Sequence, residues 1–141
     1  MSAAFATAAT AQSGVKINDP DVVREIEAQF AGYDRALGKN DVGALNAYFF
    51  DGPSTIRYGI GENLYGYPEI VAYRAAVVAT GVGPKRERTV ISTYGNDFAT
   101  VSTLSRPSQA GKITRTMQTW VRFPQGWRIV AAHVSTIDEP R

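Results

Sequence analysis

Few side chains in this sequence are equipped for chemistry, and seven of them sit at odds with their surroundings: Tyr33, Arg57, Asn63, Tyr65, Arg74, Gln118 and His133. Tyr33 stands in the middle of a helically spaced apolar run. It is either a core tyrosine whose hydroxyl finds solvent or a backbone group, or a phenol held for use. Arg57 lies inside the strand-forming run Thr55-Ile56-Arg57-Tyr58, where an arginine either faces solvent or aims a guanidinium inward. Asn63, Tyr65 and Tyr67 crowd one short segment, and Arg74 follows a helical turn or two later, where a solvated charge is the plain alternative. Gln118 and His133 belong to two late strands. A lone histidine on an apolar strand serves either as a hydrogen-bonded structural residue or as a catalyst.

What is scarce narrows the chemistry. The 141-residue chain has no cysteine and one histidine, which removes disulfides, thiol nucleophiles and any site needing two histidines. A Ser-His-Asp triad would have to use His133, and nothing local supports one. Gly59-Ile60-Gly61-Glu62-Asn63-Leu64 has leucine where a dinucleotide fingerprint needs its third glycine. Neither a phosphate-binding loop nor a Gly-x-Ser-x-Gly elbow occurs. The thirteen carboxylates are scattered, so the expected site has no metal and no cofactor. Oxygen and guanidinium groups remain. Arginines outnumber lysines 11 to 4, and guanidinium suits planar anions such as carboxylates.

The net charge of +2 divides unevenly, −4 over residues 1–70 and +6 over 71–141. The one basic cluster, Lys85-Arg86-Glu87-Arg88, is broken by a glutamate and reads better as a charged strand edge than as a nucleic-acid contact. No apolar run approaches 18 residues, so no membrane span is expected. Residues 1–17 read as a tail, and Met1 to Gly14 lacks the positive charge of a secretory leader, so the expected location is cytoplasmic.

The elements that must position these groups can be read next. Asp19-Pro20-Asp21 starts a helix, with a cap, a first-turn proline and an acid at the positive end of the dipole. Val23, Ile26, Phe30, Tyr33 and Leu37 form its apolar stripe, and Gly38-Lys39-Asn40 stops it. A second helix is expected from Asp41 to before Asp51-Gly52-Pro53, with Leu45, Tyr48 and Phe49 inward. Strands follow at Ser54 to Tyr58 and Glu62 to Tyr65, then a third helix from Pro68 to about Ala79, closed by Gly81 and Gly83. The period then becomes two. Arg88 to Tyr94, Phe98 to Leu104, Ile113 to Phe123 and Trp127 to Ile137 read as an antiparallel meander. The expected fold is one α+β domain over residues 18–141, three helices against a curled sheet.

Within the last two strands, alternation puts Gln118 with Trp120, and His133 with Trp127 and Ile129. A tight turn at Pro124-Gln125 brings the two sets to one side. A bulge at Gly126 would instead set His133 with Met117 and Thr119.

Five segments carry a likeness beyond this pattern: Thr55 to Gly59, Gly61 to Tyr67, Thr93 to Thr100, Gln118 to Phe123 and Gly126 to Ser135. Together they resemble the oxalurate-catabolism HpxZ / AtzH family, a branch of the nuclear-transport-factor-2-like (SnoaL-like) superfamily, over about Asn18 to Ile137. The resemblance implies a cone-shaped, cystatin-like α+β fold with a pocket between helices and concave sheet. It also implies a homodimer or homotetramer built on sheet surfaces. Family members are associated with breakdown of nitrogen-rich compounds, and one is proposed to convert 1,3-dicarboxyurea to allophanate alongside an amidase. The family's suspected functional tyrosine and arginine fall on Tyr33 and Arg57. That makes these two the expected catalytic pair, with Asn63, Tyr65, Arg74, Gln118 and His133 as candidate substrate-binding residues.

Loss of an N-carboxylate needs only an anion clamp and a proton donor, roles a guanidinium and a phenol can fill. The expected function is a small-molecule hydrolase or decarboxylase on a small anionic carboxylated urea or amide. The competing expectation is a non-catalytic ligand-binding or accessory protein for a partner amidase. A ketosteroid-type isomerase would need a carboxylate base in the pocket, and Asp34 points about 100° away from Tyr33 around the helix.

Overall fold

A computed structural model of the protein describes residues 14–77 and 84–140. The expected tail from Met1 to Ser13, the expected end of the third helix near Ala79 and the glycines at 81 and 83 lie outside them. Helix α1 (Pro20–Lys39) opens where Asp19 accepts the Asp21 amide at 2.9 Å and closes on Asn40, whose φ of 51° puts it in the left-handed region that asparagine tolerates. It buries Val22, Ile26, Phe30, Tyr33 and Ala36. The buried stripe is thus turned slightly from the expected one, with Val23 and Leu37 half-buried at its margins.

Helix α2 (Val42–Ala47) is capped by Asp41, which accepts the Ala44 amide at 3.0 Å. It ends earlier than the composition suggests because the sheet takes the chain over. The Ile129 amide donates to the Tyr48 carbonyl at 2.7 Å and the Phe50 amide to the Ile129 carbonyl at 3.0 Å. A short hairpin follows, β1 (Ile56–Tyr58) and β2 (Asn63–Tyr65), then α3 (Tyr67–Ala76), entered through Gly66 at φ 85°. The meander is β3 (Lys85–Tyr94), β4 (Phe98–Arg106), β5 (Lys112–Phe123) and β6 (Gly126–Asp138).

The six strands form one sheet in the order β2-β1-β6-β5-β4-β3. Sequence patterning gives the antiparallel meander but not that β1 returns to lie parallel beside β6, with Arg57 opposite Ala132. That pairing sets one row of side chains across the inner face: Ile91, Val101, Gln118, Ala132, Arg57 and Leu64. The helices cover this face. Between them lie Ile26, Ile70, Trp120 and Ile129, all fully buried, each side chain contributing about 1.5–3 kcal/mol of burial.

Ahead of α1, Ile17 bridges Tyr94, and the Gly95 amide donates to the Lys16 carbonyl at 2.8 Å. Residues 16 and 17, placed with the tail by sequence, therefore join the edge of β3. That strand also begins three residues before Arg88 and takes in the basic cluster. Arg86 turns inward at a register shift, making a two-pronged contact with Asp34 on α1 (2.8 and 3.2 Å) and donating to Thr103 (2.9 Å) and Ser105 (3.0 Å). Asp34 is thus occupied as a structural ion pair.

The shared face of His133, Trp127 and Ile129 is corrected. The Pro124-Gln125 turn is tight, with Phe123 opposite Gly126, so Trp127 and Ile129 do join Trp120 inside. A bulge then falls at Val130, within the strand and away from the turn. Trp120 pairs Ile129, while the neighbouring Thr119 pairs Ala131. One extra residue inverts everything after it, so Ala132 faces in and His133 faces out beside Met117.

Candidate functional site

A pocket lined by the helices and β1 has a volume of about 160 Å³. Leu37 and Asn40 come from the end of α1, Leu45 from α2, Tyr73 and Arg74 from α3, and Arg57 from β1. Arg57 reaches it because β1 is held parallel against β6, which fixes position 57 on the inner face. Ala132 beside it is too short to fill the space above the sheet.

Arg57 is ion-paired through Nη1 to Glu62, both side chains being mostly buried, and its guanidinium lies 5.3 Å from the centre of the Tyr73 ring. Glu62 reaches back across the hairpin because residue 59 is glycine. A β-carbon at 59 would occupy the space of the Glu62 carboxylate. Burial works to raise the Glu62 carboxyl, but the Arg57 bond and charge, with the Gly61 amide and Tyr73, hold it below its ordinary value. Burial also raises the Tyr73 phenol, and the neighbouring Glu62 charge adds to that. Glu62 is therefore an anion and Tyr73 a neutral phenol near neutral pH.

Arg74 lies over the Phe49 ring, 5.0 Å from its centre, and its Nε and Nη2 are buried without a hydrogen-bond partner among the described residues. Gln118 is buried on the row that holds Arg57. Its Oε1 accepts from Trp120 Nε1 at 3.1 Å, while its Nε2 has no partner among the described residues. Tyr33 sits one helical turn before Leu37 and is 7% exposed. Its ring stacks on Phe30 at 6.2 Å and meets Tyr48 edge-on at 5.9 Å. Tyr33 is therefore packed in the aromatic core on the helix side of the sheet, whereas Arg57 lines the pocket; Tyr33 is not among the residues that line it.

Asn63, Tyr65 and His133 lie elsewhere. Tyr58 pairs with both Asn63 and His133, and Ile56 with Tyr65, all at positions facing away from the helices. Tyr65 and Tyr58 place their hydroxyls 3.3 Å apart on that outer face, and the Tyr58 and His133 rings meet edge-on at 6.1 Å. They form an external cluster, separated from Arg57 and Arg74 by the thickness of the sheet.

Tyr73, which lines the pocket, and Glu62, which pairs with Arg57 there, are missing from the sequence-based set. A signal for Glu62 exists: a strand arginine, a glycine two residues on, and a glutamate across a two-residue hairpin. Tyr73 has none, since a tyrosine beside an arginine on a helix is ordinary.

Helices at the start, a curved and mostly antiparallel sheet behind them and a pocket between the layers define a nuclear-transport-factor-2-like, cystatin-like protein. A nuclear transport factor 2-like superfamily protein from Salmonella enterica is similar in fold, with a TM-score of 0.64 at 21% identity over 86% of this chain and 95% of that one. The family is narrower. The AtzH-like family model matches residues 15–140, and the chain belongs to the AtzH-like family. A protein of unknown function from the DUF3225 family of Pectobacterium atrosepticum is 48% identical, with a TM-score of 0.83 over 86% of this chain and 95% of that one. A cystatin-like fold protein from Burkholderia xenovorans is 46% identical, with a TM-score of 0.85 over 90% of this chain and all of that one. No curated protein matches the chain with significance. Among the described residues, no helix is long and apolar enough to cross a membrane.

Proposed function

We propose that this protein is a cofactor-free cytoplasmic enzyme that removes an N-carboxylate from a small carboxylated urea or related amide. The reaction is of the 1,3-dicarboxyurea-to-allophanate type, in the breakdown of nitrogen-rich compounds. The observation that carries this reading is that two guanidinium groups, Arg57 and Arg74, line one pocket of about 160 Å³ with otherwise largely apolar walls. That volume equals about five waters at ~30 Å³ each, the size of a small organic acid. Membership of the AtzH-like family supports a small-molecule-binding or catalytic protein.

In the proposed step the C–N bond of the N-carboxylate breaks and its electron pair passes to nitrogen. The carboxyl carbon leaves as carbon dioxide, and the nitrogen takes a proton from the Tyr33 phenol or a water it orients. The phenolate regains its proton from solvent. Arg57 orients the substrate with the guanidinium nitrogens that Glu62 does not use. The apolar walls favour neutral carbon dioxide over the carboxylate it came from.

The outer sheet face supports a second copy of the chain as partner. It exposes Met117, Leu104 and Val90 on the adjacent strands β5, β4 and β3, apolar side chains of the kind found at association surfaces.

A substrate panel of oxalurate, 1,3-dicarboxyurea, allophanate and carboxybiuret, with carbon dioxide and ammonia both measured, tests the enzymatic reading. Carbon dioxide release from dicarboxyurea by the purified protein alone is expected. Turnover only when a partner amidase is added, or a stable complex with one and no turnover, would replace it with an accessory role.

A further inference from the structure

The charges of the pocket do not balance. The protein's thirteen aspartates and glutamates all lie within the described residues. Arg57 is paired with Glu62 and Arg86 with Asp34, while Arg106 and Arg122 each hold two acids. Arg74 is paired with none of these carboxylates, yet its Nε and Nη2 are buried. Its guanidinium rests on Phe49, which stabilises a cation without satisfying its N–H groups. A half-buried cation with two nitrogens shut off from water and unmet is costly unless an anion joins its open edge. With Arg57 positive, Glu62 negative and Arg74 positive, the pocket is one charge short of neutral.

We propose that Arg74 is the carboxylate anchor of this site and holds the carboxylate that the substrate keeps. This rests on the small-anion reading above and assigns the two arginines different tasks. A full ion pair on the departing carboxylate would stabilise the ground state and slow its loss. Arg57, already partly neutralised by Glu62, is the weaker clamp and belongs at the reacting end. Arg74, with nothing to neutralise it, belongs at the end that stays anionic throughout. The ligand class is a small acid presenting one carboxylate to Arg74 and an amide or carbamate toward Arg57.

Calorimetric titration of the full chain with oxamate, one carboxylate joined to one amide, tests the assignment, with neutral urea as control. Wild type is expected to bind oxamate and not urea. Arg74→Met keeps the packing on Phe49, is expected to weaken oxamate tenfold or more, and should melt at or above the wild-type temperature because a half-buried unpaired charge is gone. Arg74→Lys, with charge but no planar fork, should fall between. Oxamate binding unchanged in Arg74→Met but lost in Arg57→Met would overturn the assignment and leave the small-anion reading standing. A melting temperature clearly below wild type in Arg74→Met, or a variant that does not fold, would mean the guanidinium is satisfied within the fold and would also overturn it. A wild type that binds no oxamate would sink the small-anion reading together with this proposal.

Discussion

Replacing Tyr33 with phenylalanine separates what the phenol does for the fold from what it does for chemistry. The ring is 7% exposed and wedged between Phe30 and Tyr48, so its packing is worth keeping. Truncation to alanine would cost about 3–5 kcal/mol, enough to confuse unfolding with inactivity. Tyr33→Phe preserves the ring and removes only the hydroxyl, which makes no hydrogen bond to another described residue. An intramolecular hydrogen bond typically contributes about 0.5–1.5 kcal/mol, so losing an unpartnered hydroxyl should change stability by less than about 1 kcal/mol. For a domain near this size, that is a shift of roughly 4 °C or less in melting temperature. Loss of a positioned proton donor should lower turnover by about 10²–10⁴-fold. The assays are thermal melting and carbon dioxide release from dicarboxyurea at saturating substrate. A folded Tyr33→Phe protein with wild-type turnover would refute the proton-donor role. A fall in melting temperature of ten degrees or more would refute the reasoning that the hydroxyl is structurally idle.

Three further outcomes are expected. Gly59→Ala places a β-carbon where the Glu62 carboxylate lies, so Glu62 must leave Arg57; binding of small acids should change while the far sheet, read by amide exchange at β3 and β4, stays as protected as in wild type. Because folding lowers the Glu62 carboxyl, its contribution to stability is present above the ordinary glutamate value of 4.5 and is lost as the pH falls through its lower folded value; Glu62→Gln should flatten that part of a denaturant-midpoint profile, and an unchanged acid limb would contradict the pairing. Arg86→Met should destabilise the protein by about 2–4 kcal/mol in urea unfolding, since it strands Asp34 and removes the bonds to Thr103 and Ser105, whereas Asp34→Asn with Arg86→Met should recover part of the loss.

Much of the architecture was legible because local chemistry dictates it. Asp19-Pro20 and Asn40 bracket the first helix through capping and a left-handed stop, which tertiary contacts do not need to supply. The Gly95-Asn96-Asp97 and Pro124-Gln125 turns and the period of two likewise define the meander. The likeness in Thr55 to Gly59 and Gly126 to Ser135 reaches the family, which the match over residues 15–140 bears out.

The allocation of side chains to faces belongs to the tertiary structure. Side-chain alternation has a period of two, so one extra residue at Val130 carries His133 from the inner face to the outer, and no residue type there announces the bulge. The parallel return of β1 beside β6 is a contact between residues some 75 positions apart, and it alone decides that Arg57 looks inward over Ala132. Among the arginines, the sequence determined a supply suited to anions. Only the fold decided which of them ends half-buried on an aromatic ring without a carboxylate, because burial and pairing are properties of neighbours brought together in space.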